Sequence, residues 1–431
     1  MINLSLDIDS YELKEIRDIC DINCSSYSQK ESWNFFNYLD TKNITKGKID
    51  EIKYLDPLED TVPSRAKRKV NNKDIIYSTV RPNQEHYGLI ENQPDNFLVS
   101  TGFTTLKVDT EKAIPEYVYY FITQNHITES LQTIAEQSTT SYPSIRPSDI
   151  GDLLIPLPPL GIQNKISSIL RNIDYKIKLN EQINKNLDNL IKILFKNFFE
   201  DFKPFENQEF KDSEIGKIPV DWDLVDLGSI IKIYNGYSYK GNELQESNCA
   251  MATIKNFNRD GSFRADGFKE ILYSDKIKDH HFLNDNDVLI SCTDVTQDAD
   301  IIGNCILLQN KQGYGEVIMS MDLVKIESQI PEINNFLLAS ILRSYRFKYH
   351  ILGYVNGTTV LHLDKKGISK FKLALPNDLT ILEEFGNTIG LIYNQIGNNL
   401  KEIDNLSKVR DTLLPKLMSG EIDVSKINCD L

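Results

Sequence analysis

A basic segment at residues 64–73, SRAKRKVNNK, contains five cations and no acidic residue. The cations are Arg65, Lys67, Arg68, Lys69 and Lys73. Lys and Arg in such a cluster can neutralise the phosphate groups of a nucleic acid, an interaction that does not depend on base sequence. A solvated loop without a ligand is the alternative interpretation.

A second group of polar residues follows in STVRPNQEHYG at 78–88, directly after a strand-like run. The candidates in this loop are Arg81, Asn83, Gln84 and His86. Arg can bind guanine through two hydrogen bonds, and Asn or Gln can bind adenine in the same bidentate way. The loop therefore has the residue types that read base edges.

Motifs for catalysis or cofactor binding are not found in the sequence. The prolines of LPPL at 157–160 follow a leucine, not the Asn or Asp of an NPPY-like or DPPY-like tetrapeptide that holds a target amine. There is no GxGxxG, and the P-loop glycine spacing at 236–241 is followed by Asn242 and Glu243 where Lys and Ser or Thr are required. The six cysteines form no CxxC pair. The sequence thus predicts no catalytic, cofactor or metal site.

Length and charge set limits on the architecture and on the partners. A chain of 431 residues is too long for one compact core, so two domains with connecting segments are expected. The net charge of −14 argues against nucleic-acid binding by the whole surface and is compatible with a local basic face. The opening MINLSLDIDS has no signal-peptide pattern, and no stretch approaches the roughly 20 apolar residues of a membrane span. The cytoplasm is the predicted location.

Five pairs of similar segments recur along the chain at offsets between 211 and 220 residues. The pairs are YELKEI at 11–16 with WDLVDL at 222–227, DIIYST at 74–79 with DVLISC at 287–292, IPEYVYYFI at 114–122 with IPEINNFLL at 330–338, TTSYPSI at 139–145 with TTVLHL at 358–363, and LIPLP at 154–158 with LALP at 373–376. A near-constant offset predicts a tandem of two similar units. In each, the IPE segment should open a short helix with Pro in its first turn. NRDGSF at 258–263 predicts a tight hairpin.

Two long helices, at residues 160–199 and 379–414, are predicted from residues spaced by seven. The first has the rows Ile166, Ile173, Asn180, Leu187, Leu194 and Leu170, Ile177, Asn184, Ile191, Phe198; the second has Leu382, Ile389, Ile396, Ile403 and Phe385, Ile392, Asn399, Leu406, Leu413. Asparagines in such rows can set the register of paired helices. Thr380 with Glu383 predicts a capping box. Mutual antiparallel pairing is expected, with each helix packed on its own domain as the alternative. Forty residues span roughly 60 Å, so a pair would act as a spacer.

The sequence resembles the DNA-specificity subunits of type I restriction–modification systems over nearly its whole length. The resemblance is strongest in LLIPLPPLGIQNKISSILRNIDYKIKLNEQINKNLDNLIKILFKNFF and in LALPNDLTILEEF through KVRDTLLPKLMSGEIDV, with further similarity in IPVDWDLVDLGSI, SYPSIRPSDI and GTTVLHLDKKGI. It implies an α+β fold, a pseudo-twofold tandem repeat in which two similar mixed β-rich target-recognition domains are separated by two long antiparallel coiled-coil helices. The expected boundaries are 1–158 and 205–376 for the recognition domains, and 159–204 and 377–431 for the helical segments.

The resemblance also implies a function. Each recognition domain would read one half of a bipartite double-stranded DNA target in the major groove. The helices would set the gap and dock two methyltransferase subunits for adenine methylation, or for restriction through further subunits of the complex. S-adenosylmethionine, ATP and Mg are then expected on the partner subunits, and this chain is expected to be non-catalytic. The loop DVTQDADIIG at 294–303 departs from the glycine-richer loop of the family.

On this interpretation further residues become candidates for DNA contact. In the first domain they are Tyr142 and Arg146. In the second they are Tyr237, Tyr239, Lys240, Lys255, Asn256, Arg259, Arg264, Thr358, Thr359 and His362. The competing hypothesis is an acidic coiled-coil adaptor with two protein-binding heads, which the net charge favours. Binding to duplex DNA discriminates between the two.

Overall fold

The computed structural model describes residues 11–138, 142–296 and 298–425. The chain forms two compact units, the first made of Met1–Tyr175 with Ser407–Leu431 and the second of Lys176–Leu406. The opening MINLSLDIDS, residues 139–141 of the TTSYPSI segment and Cys429 lie outside the described residues. Within the described ranges, no helix is both long enough and apolar enough to cross a membrane.

The first unit is a mixed α+β domain. Its strands are β1 Glu12–Glu15, β2 Cys20–Ile22, β3 Phe36–Leu39, β4 Ile44–Thr45, β5 Lys48–Ile49, β6 Lys53–Leu55, β7 Ala66–Lys69, β8 Ile75–Ser78, β9 Tyr87–Leu89, β10 Phe97–Ser100, β11 Phe103–Val108 and β12 Leu154–Leu157. Its short helices are α1 Ile16–Ile19, α2 Pro115–Ile122, α3 Asn125–Glu136 and α4 Pro147–Gly151. The long helix α5, Leu160–Phe195, begins in this unit.

The second unit is also a mixed α+β domain. Its strands are β13 Phe210–Ser213, β14 Gly216–Pro219, β15 Trp222–Asp226, β16 Ile231–Asn235, β17 Cys249–Ala252, β18 Lys269–Glu270, β19 Val288–Ser291, β20 Thr293–Asp294, β21 Cys305–Leu307, β22 Glu316–Met319, β23 Leu323–Ser328, β24 Val355–Asn356, β25 Leu361–Leu363 and β26 Lys372–Pro376. Its helices are α6 Asn335–Leu342, α7 Tyr345–Leu352, α8 Lys366–Ser369 and most of the long helix α9, Thr380–Met418.

The main sheets of the two units share their strand pairing. A four-stranded sheet has the order β2-β11-β8-β9 in the first unit and β16-β23-β19-β21 in the second. A second sheet contains one parallel pair in each unit, β3 with β10 and β17 with β22. In each unit an early strand pairs antiparallel with the last strand before the following long helix, β1 with β12 and β15 with β26. These pairings confirm the tandem repeat that the sequence predicts.

Each unit buries its own apolar core, and the long helices supply part of both. Ile166 and Leu170 of α5 belong to the core of the first unit, together with Leu417 near the end of α9. Ile191 of α5 and Leu382 of α9 belong to the core of the second unit. Every residue of the predicted seven-residue rows is buried or half-buried. The helices are therefore held both by each other and by the domains.

The long helices run antiparallel within each unit. In the second unit, the Asn399 amide donates to the Asn184 side-chain oxygen at 2.8 Å, and the Asn180 amide donates to the Glu402 carboxylate at 2.8 Å. In the first unit, Arg410 of α9 donates to Asp174 of α5 at 2.9 Å. The predicted antiparallel pairing is confirmed, and the seam asparagines do pair across it.

Each unit also fixes its segment of α5 through a largely buried cluster of Arg, Asp and Tyr. In the first unit the Tyr120 hydroxyl and Arg410 both donate to the Asp174 carboxylate, at 2.7 and 2.9 Å. In the second unit Arg343, at the end of α6, lies 2.6 Å from the Asp188 carboxylate and 3.4 Å from the Tyr393 hydroxyl of α9. The two clusters have the same chemistry and different placement along the chain.

Two local predictions about helix starts are wrong. Pro115 opens α2 as expected, but α6 begins four residues after Pro331, and the Asn334 side chain caps it by accepting from the Leu337 N–H at 3.0 Å. The predicted capping box at Thr380 is absent because Thr380 is already helical; Asp378 accepts from its N–H at 3.1 Å instead. Both helices use the short polar side chain that lies just outside the first turn.

Candidate nucleic-acid interface

A short antiparallel ribbon lies at the end of the central strand β8 in the first unit. Thr79 follows β8, and its N–H donates to the Gly102 carbonyl at 2.8 Å. The Thr79 carbonyl accepts from the Ile145 N–H at 2.8 Å, and Val80 forms an antiparallel bridge with Ser144. The turn after β8 is thus fixed between the β10–β11 turn and the segment that closes the domain.

The second unit repeats this ribbon with the same hydrogen bonds. Cys292 follows β19, and its N–H donates to the Asp322 carbonyl at 2.7 Å. The Cys292 carbonyl accepts from the Leu363 N–H at 2.9 Å, and Thr293 of β20 lies opposite His362 of β25. We call residues 79–82 with 142–145, and residues 292–295 with 360–363, the strand-end ribbons. The first ribbon contains the candidates Arg81 and Tyr142, and the second contains His362.

In the first unit the ribbon carries a cation and an aromatic ring. Arg81 has a left-handed backbone with φ 49°, a conformation that costs energy for a residue with a side chain. Its guanidinium lies 5.1 Å from the centre of the exposed Tyr142 ring. Asn83 and Gln84 are exposed on the next turn. The predicted residues Arg81, Asn83, Gln84 and Tyr142 therefore come together.

The basic segment reaches this ribbon through its first cation. Arg65 is exposed, and its carbonyl accepts from the Thr101 N–H at 2.9 Å, one residue before Gly102 of the ribbon. Lys67 of β7 is exposed. Arg68 is half-buried, its Nε finds no partner among the described residues, and burial lowers the pKa of its guanidinium. The exposed members are therefore the better placed for phosphates.

Other cations of the segment already have carboxylate partners. Lys69 lies 2.8 Å from Glu31. Lys73 is paired with Glu91, and with Glu116 at 2.8 Å; burial alone would lower the pKa of Lys73, but these two carboxylates raise it. Much of the positive charge of Lys69 and Lys73 is thus offset within the domain.

Two further candidates of the first unit are placed apart from Arg81. His86 is half-buried, and its Nδ1 lies 2.6 Å from the Ile44 carbonyl oxygen to which it donates. Arg146 is exposed, and its backbone N–H donates to the Asp149 carboxylate at 2.6 Å at the start of α4. The Nδ1 atom of His86 is therefore engaged by a backbone carbonyl, whereas Arg146 is exposed on the surface.

The glycine-flanked loop of the second unit is stabilised by one carboxylate. Tyr237 is buried, and its hydroxyl donates to Glu243 at 2.8 Å. The Lys240 N–H donates to the same carboxylate at 2.5 Å, leaving the exposed Lys240 ammonium outside this cluster. Tyr239 is half-buried. Lys240 is the member of this loop that is directly accessible to a ligand.

Asn256 and Arg264 are tied together in the hairpin region. Asn256 is fully buried; its side-chain oxygen accepts from the Thr253 N–H and its amide donates to the Arg264 carbonyl, both at 2.9 Å. The Arg264 guanidinium donates two hydrogen bonds to Asp266 at 2.5 and 2.9 Å. Both side chains are therefore engaged in shaping the loop. Lys255 is exposed beside them.

The predicted hairpin NRDGSF forms a turn closed by an antiparallel bridge between Phe257 and Phe263. Arg259 at its tip is 77% exposed and lies 3.6 Å from Asp300. Gly261 has φ +79°, which the predicted Asp-Gly turn requires. Arg259 is the most accessible cation of this region.

The segment that closes the second unit has an exposed polar edge. Thr358, Thr359 and His362 are all exposed. Gly357 has φ +115°, and a Cβ there would lie 2.2 Å from the Val360 carbonyl oxygen, so only glycine fits this turn. His362 lies on the strand-end ribbon, and Thr358 and Thr359 lie in the turn that leads into it.

Two positioning residues were missed by sequence reasoning. Asp294 is fully buried and accepts from the Thr296 and Ile301 N–H groups at 2.8 and 2.7 Å. Burial alone would raise the pKa of its carboxyl, but these hydrogen bonds outweigh burial and hold the pKa below its usual value. Lys348 of α7 donates to Ile302 and Asn304 at 2.6 and 2.8 Å, and burial lowers its pKa. Together they shape the 294–304 loop in place of the glycines of the family pattern. A buried Lys on a neighbouring helix leaves no signal in the sequence.

Cofactor and metal sites were not predicted, and the described ranges contain no cluster of three or more His, Cys, Asp or Glu suited to a metal ion. Cys20, Cys249, Cys292 and Cys305 are buried and Cys24 is exposed. Burial raises the pKa of the Cys292 thiol to about 12, so it is not a reactive thiolate.

Comparison with known proteins identifies a family. A family model described as the type I restriction modification DNA specificity domain matches the chain twice, at residues 8–189 and 219–402. The chain is 25% identical over 422 residues to the type I restriction enzyme HindI specificity subunit of Haemophilus influenzae, covering 84% of this chain and 89% of that protein. It is 24% identical to the MjaIX specificity subunit of Methanocaldococcus jannaschii, covering 98% of this chain and 95% of that one.

A solved structure supports the fold. The S subunit of a type I restriction–modification system from M. genitalium aligns with a TM-score of 0.51 at 16% identity, covering 97% of each chain. The two matches of the family model coincide with the repeat that the segment offsets predict.

Proposed function

The chain belongs to the type I restriction–modification DNA specificity family, and we propose that each of its units binds one half of a bipartite DNA target. The observation that supports this best is the strand-end ribbon. It recurs with the same hydrogen bonds in both units, and it carries different side chains in each. Two sites that share a backbone geometry but carry different side chains are what a protein needs in order to recognise two different DNA half-sites.

The remaining assignments follow from this function. Residues 1–158 and 205–376 act as recognition domains, and the segments 159–204 and 377–431 set the gap and dock the partners. A tandem repeat offers two equivalent docking surfaces, so two methyltransferase subunits bind one chain. Restriction subunits join through them. S-adenosylmethionine, ATP and Mg bind to those partners, which carry out adenine methylation in the cytoplasm, while this chain supplies recognition alone.

The first test separates recognition from catalysis. The purified chain, incubated with S-adenosylmethionine and duplex DNA, is expected to transfer no methyl groups, because its sequence has no methyl-donor or target-base motif. Addition of a cognate methyltransferase subunit should produce methylation at one bipartite sequence. Methyl transfer by the chain alone, or methylation without sequence preference in the complex, contradicts the proposal. Binding of the partner without any binding of DNA would instead favour the adaptor hypothesis.

A second test concerns the phosphate contacts. Lys67→Ala is expected to weaken binding to all DNA sequences alike and to reduce the slope of log affinity against log salt by about 0.9, the effect of one lost phosphate contact. Lys69→Ala is the matched control on the same strand, and its effect should be smaller because Glu31 offsets its charge at 2.8 Å. Titrations of specific and random duplexes between low and physiological salt measure both. A loss confined to the preferred sequence would mean that Lys67 reads a base.

A further inference from the structure

Three exposed aliphatic side chains come together on the strand-end ribbon of the second unit. Val295 is 64% exposed, Met321 49% and Val360 38%. The β20–β25 register ends with Asp294 opposite Leu361. Val295 directly follows Asp294 and Val360 directly precedes Leu361, so both residues leave the same end of this strand pair. Val295 and Val360 are therefore a pair of neighbouring aliphatic residues at that end of the ribbon.

Met321 is held beside this pair by its neighbour in the chain. The Asp322 carbonyl accepts from the Cys292 N–H at 2.7 Å, and the Asp322 carboxylate accepts from the Thr293 hydroxyl at 3.1 Å. The backbone just before Met321 is close-packed as well: a Cβ on Gly236 would lie 1.9 Å from the Ser320 carbonyl oxygen. Isolated exposed aliphatics are common on protein surfaces, but these three belong to separate segments fixed to one ribbon.

The same place in the first unit has the opposite chemistry. There the ribbon carries the Arg81 guanidinium over the Tyr142 ring, groups that offer hydrogen-bond donors. The aliphatic residues of the second unit can neither donate nor accept a hydrogen bond. A base recognised by them must be recognised through an apolar group.

We propose that Val295, Met321 and Val360 contact the C5-methyl group of thymine in the half-site bound by the second unit. The proposal rests on the DNA-reading function and specifies its chemistry. Thymine is the only one of the four common bases with a methyl group in the major groove, and aliphatic side chains gain from covering it. The exposed His362 on the same ribbon is placed to contact the neighbouring polar edge.

Replacement of thymine by deoxyuridine removes only this methyl group and provides the test. The complex with its methyltransferase subunit is titrated with duplexes that carry its methylation-mapped sequence, with each thymine replaced in turn. At one or more thymines, deoxyuridine is expected to weaken binding about fourfold, the effect of one buried methyl group. The double variant V295S/V360S, which removes both methyl groups of each valine, should reduce that thymine-to-uracil ratio to about one. V220S, at an exposed valine in the turn before β15, is the matched control and should leave the ratio unchanged.

The outcomes separate this proposal from the function on which it rests. Sequence-specific binding with equal affinity for thymine and uracil at every position, or a target without thymine in either half-site, overturns the proposal and leaves the function intact. A ratio that survives in V295S/V360S assigns the methyl contact to other residues and also overturns it. Weakened association of V295S/V360S with the methyltransferase subunit, at an unchanged ratio, would show that the triplet docks a protein. Absence of any sequence preference overturns both.

Discussion

Arg343→Ala is expected to lower the free energy of unfolding of the second unit by about 3 kcal/mol, because it leaves a buried carboxylate without its main partner. The Arg343 side chain is only 12% exposed and that of Asp188 only 16%. Burial alone would lower the pKa of the guanidinium, but the Tyr393 hydroxyl and the Asp188 carboxylate raise it. Arg343 thus remains charged and joins α5 to α6 and α9.

The same carboxylate provides a matched control. Lys192 contacts Asp188 at 2.8 Å from the next turn of α5, but its side chain is 44% exposed. Lys192→Ala should cost at most about 0.5 kcal/mol, as expected for an exposed pair four residues apart on a helix. Arg343→Lys should fall between the two, since an ammonium keeps the charge without the planar fork.

Urea unfolding of the full chain, resolved by hydrogen exchange of peptides from residues 335–352, measures these effects in the second unit. A loss for Arg343→Ala no larger than that for Lys192→Ala would show that solvent reaches Asp188 and that the cluster is not an effective buried pair. Because the chain has two units, whole-chain midpoints alone do not give a single free energy.

Features encoded by a local period or by repetition could be predicted from the sequence. The seven-residue rows gave the buried faces of α5 and α9, because a helix places such residues on one side whatever their partner. The asparagines Asn184 and Asn399 pair as their positions indicate. Segment offsets predicted matching sheets because two copies of one pattern bury the same faces.

Features that depend on distant contacts could not be predicted. Lys73 is a predicted phosphate contact, and the sequence gives no sign of its carboxylate partner Glu116, which lies 43 residues away in the chain. Asn256 had the residue type of a base reader, but both ends of its amide are bonded within its own loop. Lys348 shapes a loop more than forty residues before it in the chain. The type of a residue determines which interactions its side chain can form. Its burial and its hydrogen-bond or ion-pair partners within the fold determine whether that side chain is accessible to a ligand.

The helix pairing also predicts how the DNA target responds to a change in helix length. The contacts of Asn184 with Asn399 and of Asn180 with Glu402 set a register that brings Lys178 opposite Asn405. Seven residues inserted after Ile177, and seven more after Asn405, therefore lengthen both helices at facing positions. A whole heptad preserves the seam and adds about 10 Å of rise. At 3.4 Å per base pair, the preferred gap between half-sites is expected to grow by about three base pairs.

Methylation by the assembled complex, mapped on a plasmid library with variable gaps, measures this shift. Both half-site sequences should stay unchanged, and methylation at the original gap should fall by about tenfold or more, since one half-site is then misplaced. Insertion after Asn405 alone is the matched control; it leaves Asn184 paired with Asn399 but shifts Arg410 by a heptad relative to its partner Asp174, and it should destabilise the pair without defining a new gap. An unchanged gap in the double insertion would mean that the helices do not determine the spacing, and altered half-site bases would mean that they contribute to base recognition. A longer gap with the same half-sites is the result that a spacer of fixed length requires, because the residues predicted to contact DNA belong to the domains and the insertions change only the length of the helices.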